Sequence, residues 1–347
     1  MNSELFDYIR KVFIVVALVG LAVLLAKLSH VLLLVFGGVV LAAVLTTLTG
    51  LLRRVLPVSH GIALALVLVA LIGGLGTMVY LFGAQAAAEL TTLIDVMPGA
   101  LQNFQDWVDG TPVGSLVHEQ IDALRNNMSR IATTAGAMAM TFTSGMMELF
   151  LVVVGGIYLA AQPAMYRAGL VKMIPVSVRD TVADALDASG RALRLWLGGQ
   201  LVAMALVGVL TGIALWLLGV PAAFALALIA FLLDFVPIIG PILAAIPGIL
   251  LGFTVSPQVG LATLVLYVVI QQIESNVIQP LIQQRAVELP PALLLFALFA
   301  FGALYGLPGL LLAAPLTVFL YVLVKKLYVR ELLGTETSVP GEENRKD

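Results

Sequence analysis

The stretch that decides the fold is PAAFALALIAFLLDFVPIIGPILAAIPGILLG, residues 221–252. It is apolar enough to be a membrane span, yet Pro237, Gly240 and Pro241 interrupt it near the middle. The arm before the break, 222–236, is about 22 Å long as a helix, short of the roughly 30 Å hydrocarbon core. Peptide groups freed at such a break cannot face lipid, so protein or a solvated cavity must shelter them. A second stretch, PALLLFALFAFGALYGLPGLLLAAPLTVFLYVLV at 291–324, is cut by Gly306, Pro308 and Gly309. Both stretches begin Pro-Ala and break about 15 residues later, after an arm of some 22 Å. Both then carry a Leu-Ala-Ala segment and a further proline, LAAIP ending at Pro247 and LLAAP ending at Pro315. One uninterrupted span, roughly 259–278, lies between them. The two stretches therefore enter from opposite sides, as an inverted repeat of broken or re-entrant hairpins does in transporters. Two ordinary helical hairpins with proline-rich turns are the simpler alternative.

Composition agrees with a membrane protein. The chain has 347 residues, 61% hydrophobic and 11% charged, with a mean hydropathy of +1.08. That is too little charge to cover a soluble surface. A net charge of −2 gives no sign of nucleic-acid binding. The absence of cysteine excludes disulfides, Fe–S clusters and Cys-ligated zinc. His30, His60 and His118 are expected at or outside membrane edges, so neither a metal site nor a cofactor is anticipated. The chain has no Walker-type run and no Cys or His base in its apolar C-terminal half, so an enzyme is not expected.

Further spans are expected at 12–28 and 31–52, with a tight turn between them, then at 61–88, 146–161 and 195–218. The first run follows Arg10 and Lys11 and lacks a small-x-small cleavage site, so it reads as a retained span. Alternating these spans puts Arg10, Lys11, Arg53, Arg54, Arg167, Lys172, Arg179, Arg191, Arg194, Lys325, Lys326 and Arg330 on one side. The positive-inside tendency makes that side the cytoplasm, with both termini there. The expected organisation is therefore N-terminal helices at 1–88 and an extracytoplasmic amphipathic insert at 89–144. The fourth span with a cytoplasmic interfacial helix follows at 145–194, then a transport core at 195–328 and a tail at 329–347. Within the insert, Leu90, Leu93, Ile94, Met97, Leu101, Phe104 and Val108 recur at helical spacing, and Pro98-Gly99 is expected to bend that helix.

Residues 195–324 carry only four charges, Asp234, Glu274, Arg285 and Glu288. Charges at bilayer depth are costly and mark partners or pathways. Asp234 immediately precedes the first break. Gln272, Asn276, Gln279 and Gln283 are spaced 4, 3 and 4 apart and so share a helix face, with Gln271 and Glu274 on the adjacent one. Arg285 is placed to pair with either acid. GxxxG pairs at Gly208–Gly212, Gly248–Gly252 and Gly302–Gly306 allow close helix packing.

At these residues the chain resembles the autoinducer-2 exporter family, the PerM-type permeases. The motifs are DFVPIIGPILAAIP at 234–247, QQIESNVIQPLI at 271–282 and the ending at 289–320. The resemblance implies a bacterial inner-membrane transporter, a homo-oligomer with a pentamer as one form, and a role in quorum sensing. Two expectations follow. The first is an exporter of a small polar solute, autoinducer-2-like, working by alternating access with Asp234, Gln271, Gln272, Glu274, Asn276, Gln279 and Arg285 along its route. The second is a Na⁺ or Li⁺/proton antiporter using the two acids; a scaffold without transport is a third, lesser reading.

Overall fold

The computed structural model describes residues 2–109, 135–280, 289–335 and 337. Among these the protein is all-α, and its long apolar helices make it a polytopic membrane protein. Four helices are long and apolar enough to cross a bilayer, and a bent pair makes a fifth.

Helix α1 runs without interruption over Asn2–Val55. This corrects the expected turn between spans 12–28 and 31–52. The residues there, Lys27, Leu28, Ser29 and His30, are polar enough to suggest a loop but include neither Gly nor Pro, and all accept helical geometry. A helix of 54 residues is about 80 Å long. Arg10 and Lys11 therefore lie about 60 Å from Arg53 and do not share its end of the molecule. Helix α2, His60–Asp109, likewise stays helical through Pro98 and Gly99. Most of the insert beyond it, 110–134, lies outside the described residues.

Helix α3, Ala135–Ala161, ends at Gln162, and α4, Pro163–Lys172, leaves it at 90°. Helix α5, Arg179–Leu217, begins with a charged stretch and becomes apolar after Arg194. It ends in a Schellman motif. Gly219 takes φ 70°, its N–H donates to Trp216 O, and Val220 N–H donates to Leu215 O. The charged ends of these helices gather at one end of the bundle. His60 Nε2 lies 2.8 Å from Ala160 O, Arg167 forks onto both carboxylate oxygens of Asp187, and Lys326 pairs with Asp184.

The first hairpin is α6, Ala223–Leu233, followed by α7, Ile239–Val255. Its turn is so tight that a Cβ built on Gly240 would lie 1.8 Å from Leu233 O. At the tip, Ile239 N–H donates to Pro237 O across Ile238, which sits at φ 70°, ψ −56°. That is a γ-turn of the rare positive-φ kind, held here by a β-branched residue. Helix α8, Pro257–Ile273, starts on a Ser256 cap whose hydroxyl accepts from Val259 N–H, with Pro257 at the first turn.

The second hairpin is α9, Pro291–Val324, which reverses at Gly306 (φ 62°, ψ −139°). A Cβ on Gly309 would lie 2.0 Å from Phe301 O. Residues eight apart on a straight helix would be about 12 Å apart, so the chain folds back on itself here. Leu298 of the first arm packs with Ala313 of the second and with Val236 from the tip of the first hairpin. The two broken hairpins thus interlock, the tip of one against the middle of the other.

Two of the three GxxxG pairs serve this packing. Gly208 and Gly212 admit Phe231 and Ala227 of α6, and Gly248 and Gly252 admit Tyr267 and Thr263 of α8. Helix α2 braces the first hairpin from outside. The Phe104 and Trp107 rings lie 5.2 Å from the Phe253 ring, edge-on and tilted respectively, and Val96 packs into the cluster of Leu215, Leu226 and Leu251. The Glu89 carboxylate accepts a hydrogen bond of 2.9 Å from Ala225 N–H in the first turn of α6. An anion there satisfies an otherwise orphan donor and complements the helix dipole. Glu89→Ala should lower stability by about 1 kcal/mol, read as a fall in thermal unfolding midpoint in detergent. Glu89→Gln, which keeps an acceptor, should recover part of that loss.

Candidate functional site

Thr211, Tyr267, Gln271 and Glu274 come together where α5, α6, α7 and α8 meet. Between them lies a cavity of about 200 Å³. Its walls are mostly aliphatic, with Pro241 and Ala245 among them, and its polar lining is Thr211, Tyr267, Gln271 and Glu274. Ala230, one turn before Asp234, lines the same space.

Asp234 caps the C-terminal end of α6 and is 1% exposed. Neither of its carboxylate oxygens has a hydrogen-bond partner among the described residues. Its backbone oxygen accepts 2.7 Å from Gln200 Nε2, a buried bond that ties the hairpin tip to α5. A carboxylate at a helix C-terminus meets the negative end of the dipole, and burial without partners adds a desolvation cost. Packing gives no account of an acid in this place.

Glu274 is 6% exposed and opens a wide π turn over Glu274–Ile278. Gln271 Nε2 donates to its Oε2 at 3.2 Å, and Gln279 Nε2 to its Oε1 at 3.3 Å. Gln271 and Glu274 share a face, as their spacing of three predicts. The expected face of Gln272, Asn276 and Gln279 is split. Gln272 and Asn276 are exposed and bond to each other, Asn276 Nδ2 lying 2.7 Å from Gln272 Oε1. The π turn inserts an i+5 step, which rotates Gln279 onto the Glu274 side. Arg285 and Gln283 lie outside the described residues.

The break residues fall where the sequence puts them. Pro237, Gly240 and Pro241 form the first tip, and Gly306, Pro308 and Gly309 the second. Pro247 and Pro315 lie inside the returning helices. Sequence reasoning missed Gln200, Thr211 and Tyr267. Tyr267 had one legible signal, the Gly248–Gly252 pair, because a Cβ on Gly248 would meet its hydroxyl at 2.4 Å. The Tyr267 and Thr211 hydroxyls are buried and have no hydrogen-bond partner among the described residues. The described residues include no group of three or more metal-ligating side chains.

Two interlocked broken hairpins, the first of them walling a half-open cavity that Glu274 also lines, are the architecture of a multi-pass membrane transport protein. The chain belongs to the AI-2E transporter family, whose model, described as AI-2E family transporter, matches residues 12–329. It is 26% identical over 263 residues to a Bacillus subtilis protein named "Putative transport protein YrrI", covering 73% of this chain and 74% of that one. It is 30% identical over 261 residues to the Mycobacterium tuberculosis protein named "Putative transport protein MT0215", covering 72% and 69%. A shorter match of 132 residues, 33% identical, is to the Escherichia coli "AI-2 transport protein TqsA", covering 36% of this chain and 38% of that one.

Proposed function

We propose that the protein exports a small polar solute across a bacterial inner membrane by alternating access around its two broken hairpins. The observation that carries this reading is Asp234, a fully buried acid without a hydrogen-bond partner among the described residues, at the tip of a hairpin whose arms wall a mostly aliphatic cavity with four polar lining residues. In one state Glu274, Gln271, Thr211 and Tyr267 offer the solute acceptors and donors. Rocking the first hairpin about the far ends of its arms then carries Asp234 and the α7 wall away and opens the other side. The printed name of the E. coli relative makes autoinducer-2 the first solute to try, and with it a quorum-sensing role. The cation/proton exchange alternative gains no support from the names of the relatives.

The end of the bundle bearing Arg53, Arg54, Arg167 and Lys326 faces the cytoplasm in this reading, together with the C-terminal helix. Placing the N-terminus there as well needed the turn at 27–30, and α1 has none. A homo-oligomer, implied by the family resemblance, would cover exposed side chains such as Phe296 and Phe299 on the first arm of α9.

The test is flux in proteoliposomes. Wild type should move labelled autoinducer-2 down its gradient faster than protein-free vesicles. Ala245→Trp, which fills the cavity wall, should cut that flux tenfold or more while the protein still elutes as a folded species. Undiminished flux through Ala245→Trp would remove the cavity from the route.

A further inference from the structure

The cavity between α5, α6, α7 and α8 has two unlike ends. Apart from Thr211, Tyr267, Gln271 and Glu274, its lining is Val, Ile, Leu, Ala and Pro. Leu264, Val268, Gln271 and Glu274 are spaced 4, 3 and 3 apart and so share one face along α8. Down that face the wall changes from aliphatic to amide to carboxylate.

The aliphatic end is open, and it opens at bilayer depth. Ile242 of α7 and Leu264 and Val268 of α8 line the cavity and are also exposed, at 61%, 42% and 53%. Helix α8 begins the apolar span Pro257–Ile278. Counted from Pro257, Leu264 and Val268 lie about 10 and 17 Å along it, inside a hydrocarbon core of roughly 30 Å. The mouth between α7 and α8 therefore faces acyl chains rather than water.

The inner end is the reverse. Glu274 is buried, and Gln271 and Gln279 give it hydrogen bonds but no opposite charge. No Lys or Arg of the described residues lines the cavity or pairs with this acid. A carboxylate has sites for about four hydrogen bonds, so Glu274 has acceptor capacity to spare. The Thr211 and Tyr267 hydroxyls on the walls are buried without a partner among the described residues. Buried polar atoms are as a rule paired, so the two hydroxyls also point to a ligand. A mouth in hydrocarbon and an unneutralised acid at the inner end are together complementary to a cation carried on an apolar body.

We propose that the cavity takes up a monovalent organic ammonium with a compact hydrocarbon body, which enters sideways from the bilayer between α7 and α8. Its nitrogen sits on Glu274 and its body lies against Ile242, Leu264 and Val268. This rests on the reading of the cavity as the solute site and adds a class of solute to it. A cation without an apolar body forgoes the aliphatic wall, and a neutral molecule of the same shape forgoes the carboxylate.

The experiment is equilibrium binding of tritiated benzyltrimethylammonium to the full chain in liposomes, with protein-free liposomes subtracted. Wild type should bind it saturably, one per chain. Tetramethylammonium, which keeps the charge and lacks the benzyl group, should compete at least about tenfold more weakly for want of apolar burial. Glu274→Gln should weaken binding by at least about tenfold, because the cation loses its buried counter-charge. Ala245→Trp fills the cavity wall, leaves Glu274 in place and should abolish binding. Equal competition by tetramethylammonium overturns the proposal, as does unaltered binding in Glu274→Gln. The chain has no cysteine, so Val268→Cys accepts a single nitroxide label at the mouth. Its spin relaxation should respond to oxygen, which concentrates in hydrocarbon, far more than to a water-soluble nickel chelate. A stronger response to the chelate, or none to either reagent as behind a second chain, overturns the sideways entry. Binding is read at equilibrium and needs no flux. Saturable binding in a protein that moves no autoinducer-2 therefore counts against the transport of that solute alone, and autoinducer-2 flux without saturable binding counts against this inference alone.

Discussion

Gly240→Ala should destroy the first hairpin. The new Cβ would lie 1.8 Å from Leu233 O, 2.5 Å from Leu233 C and 3.2 Å from Asp234 N, all backbone atoms. A side chain could swing aside; a peptide group in a closed turn cannot, so the tip must open. Overpacking of this severity exceeds the usual 1–3 kcal/mol, and a loss above about 3 kcal/mol is expected. Asp234 follows Leu233 directly, so any surviving protein should also lose flux. Gly309→Ala should behave alike, its Cβ meeting Phe301 O at 2.0 Å. The control is Gly50→Ala, inside α1 with nothing within 4 Å of the added atom. There the substitution should be neutral or stabilise by about 0.5–1 kcal/mol. Thermal unfolding in detergent reads all three, and equal midpoints for Gly240→Ala and Gly50→Ala would refute the tight turn.

Removing either buried acid should stop transport with little damage to the fold, and the two should differ in stability. Asp234→Asn replaces a carboxylate that has no partner among the described residues with a neutral group of the same shape. Flux should fall at least tenfold while the unfolding midpoint holds or rises, because an amide costs no more to bury than an acid with no partner among the described residues. Glu274→Gln should lose flux to a similar degree but cost about 1 kcal/mol. Its two oxygens each accept from a glutamine, Gln271 and Gln279, and an amide keeps only one acceptor. One donor is therefore orphaned. Wild-type flux from both variants would remove the acids from the pathway.

The broken hairpins were legible because their cause is local. Pro237, Gly240, Gly306 and Gly309 constrain the backbone whatever surrounds them, and the two breaks recur at matching positions. The burial of Asp234 and Glu274 was legible because an acid in an apolar run must be sheltered by protein at bilayer depth. Three features were not legible, each for a physical reason. The junction at Lys27–His30 looked like a loop by polarity, but polarity alone does not end a helix that has no breaker. The register beyond Glu274 depends on a π turn that leaves no compositional trace, and it decides whether Gln279 or Asn276 joins the site. Glu89 caps a helix 136 residues away, a relation that only the tertiary structure reveals. Within the insert, Phe104 does face the protein, edge-on to Phe253.

Ile238 is a branched residue in a conformation that suits glycine, and it occupies the apex of the very element that carries Asp234. Holding it there costs on the order of 1–3 kcal/mol, sustained by the packing of Val236 and Ile239 against the second hairpin. The strain at the apex of one hairpin is thus restrained by a contact with the other, so loosening the Val236–Leu298–Ala313 cluster should relax the backbone that carries Asp234.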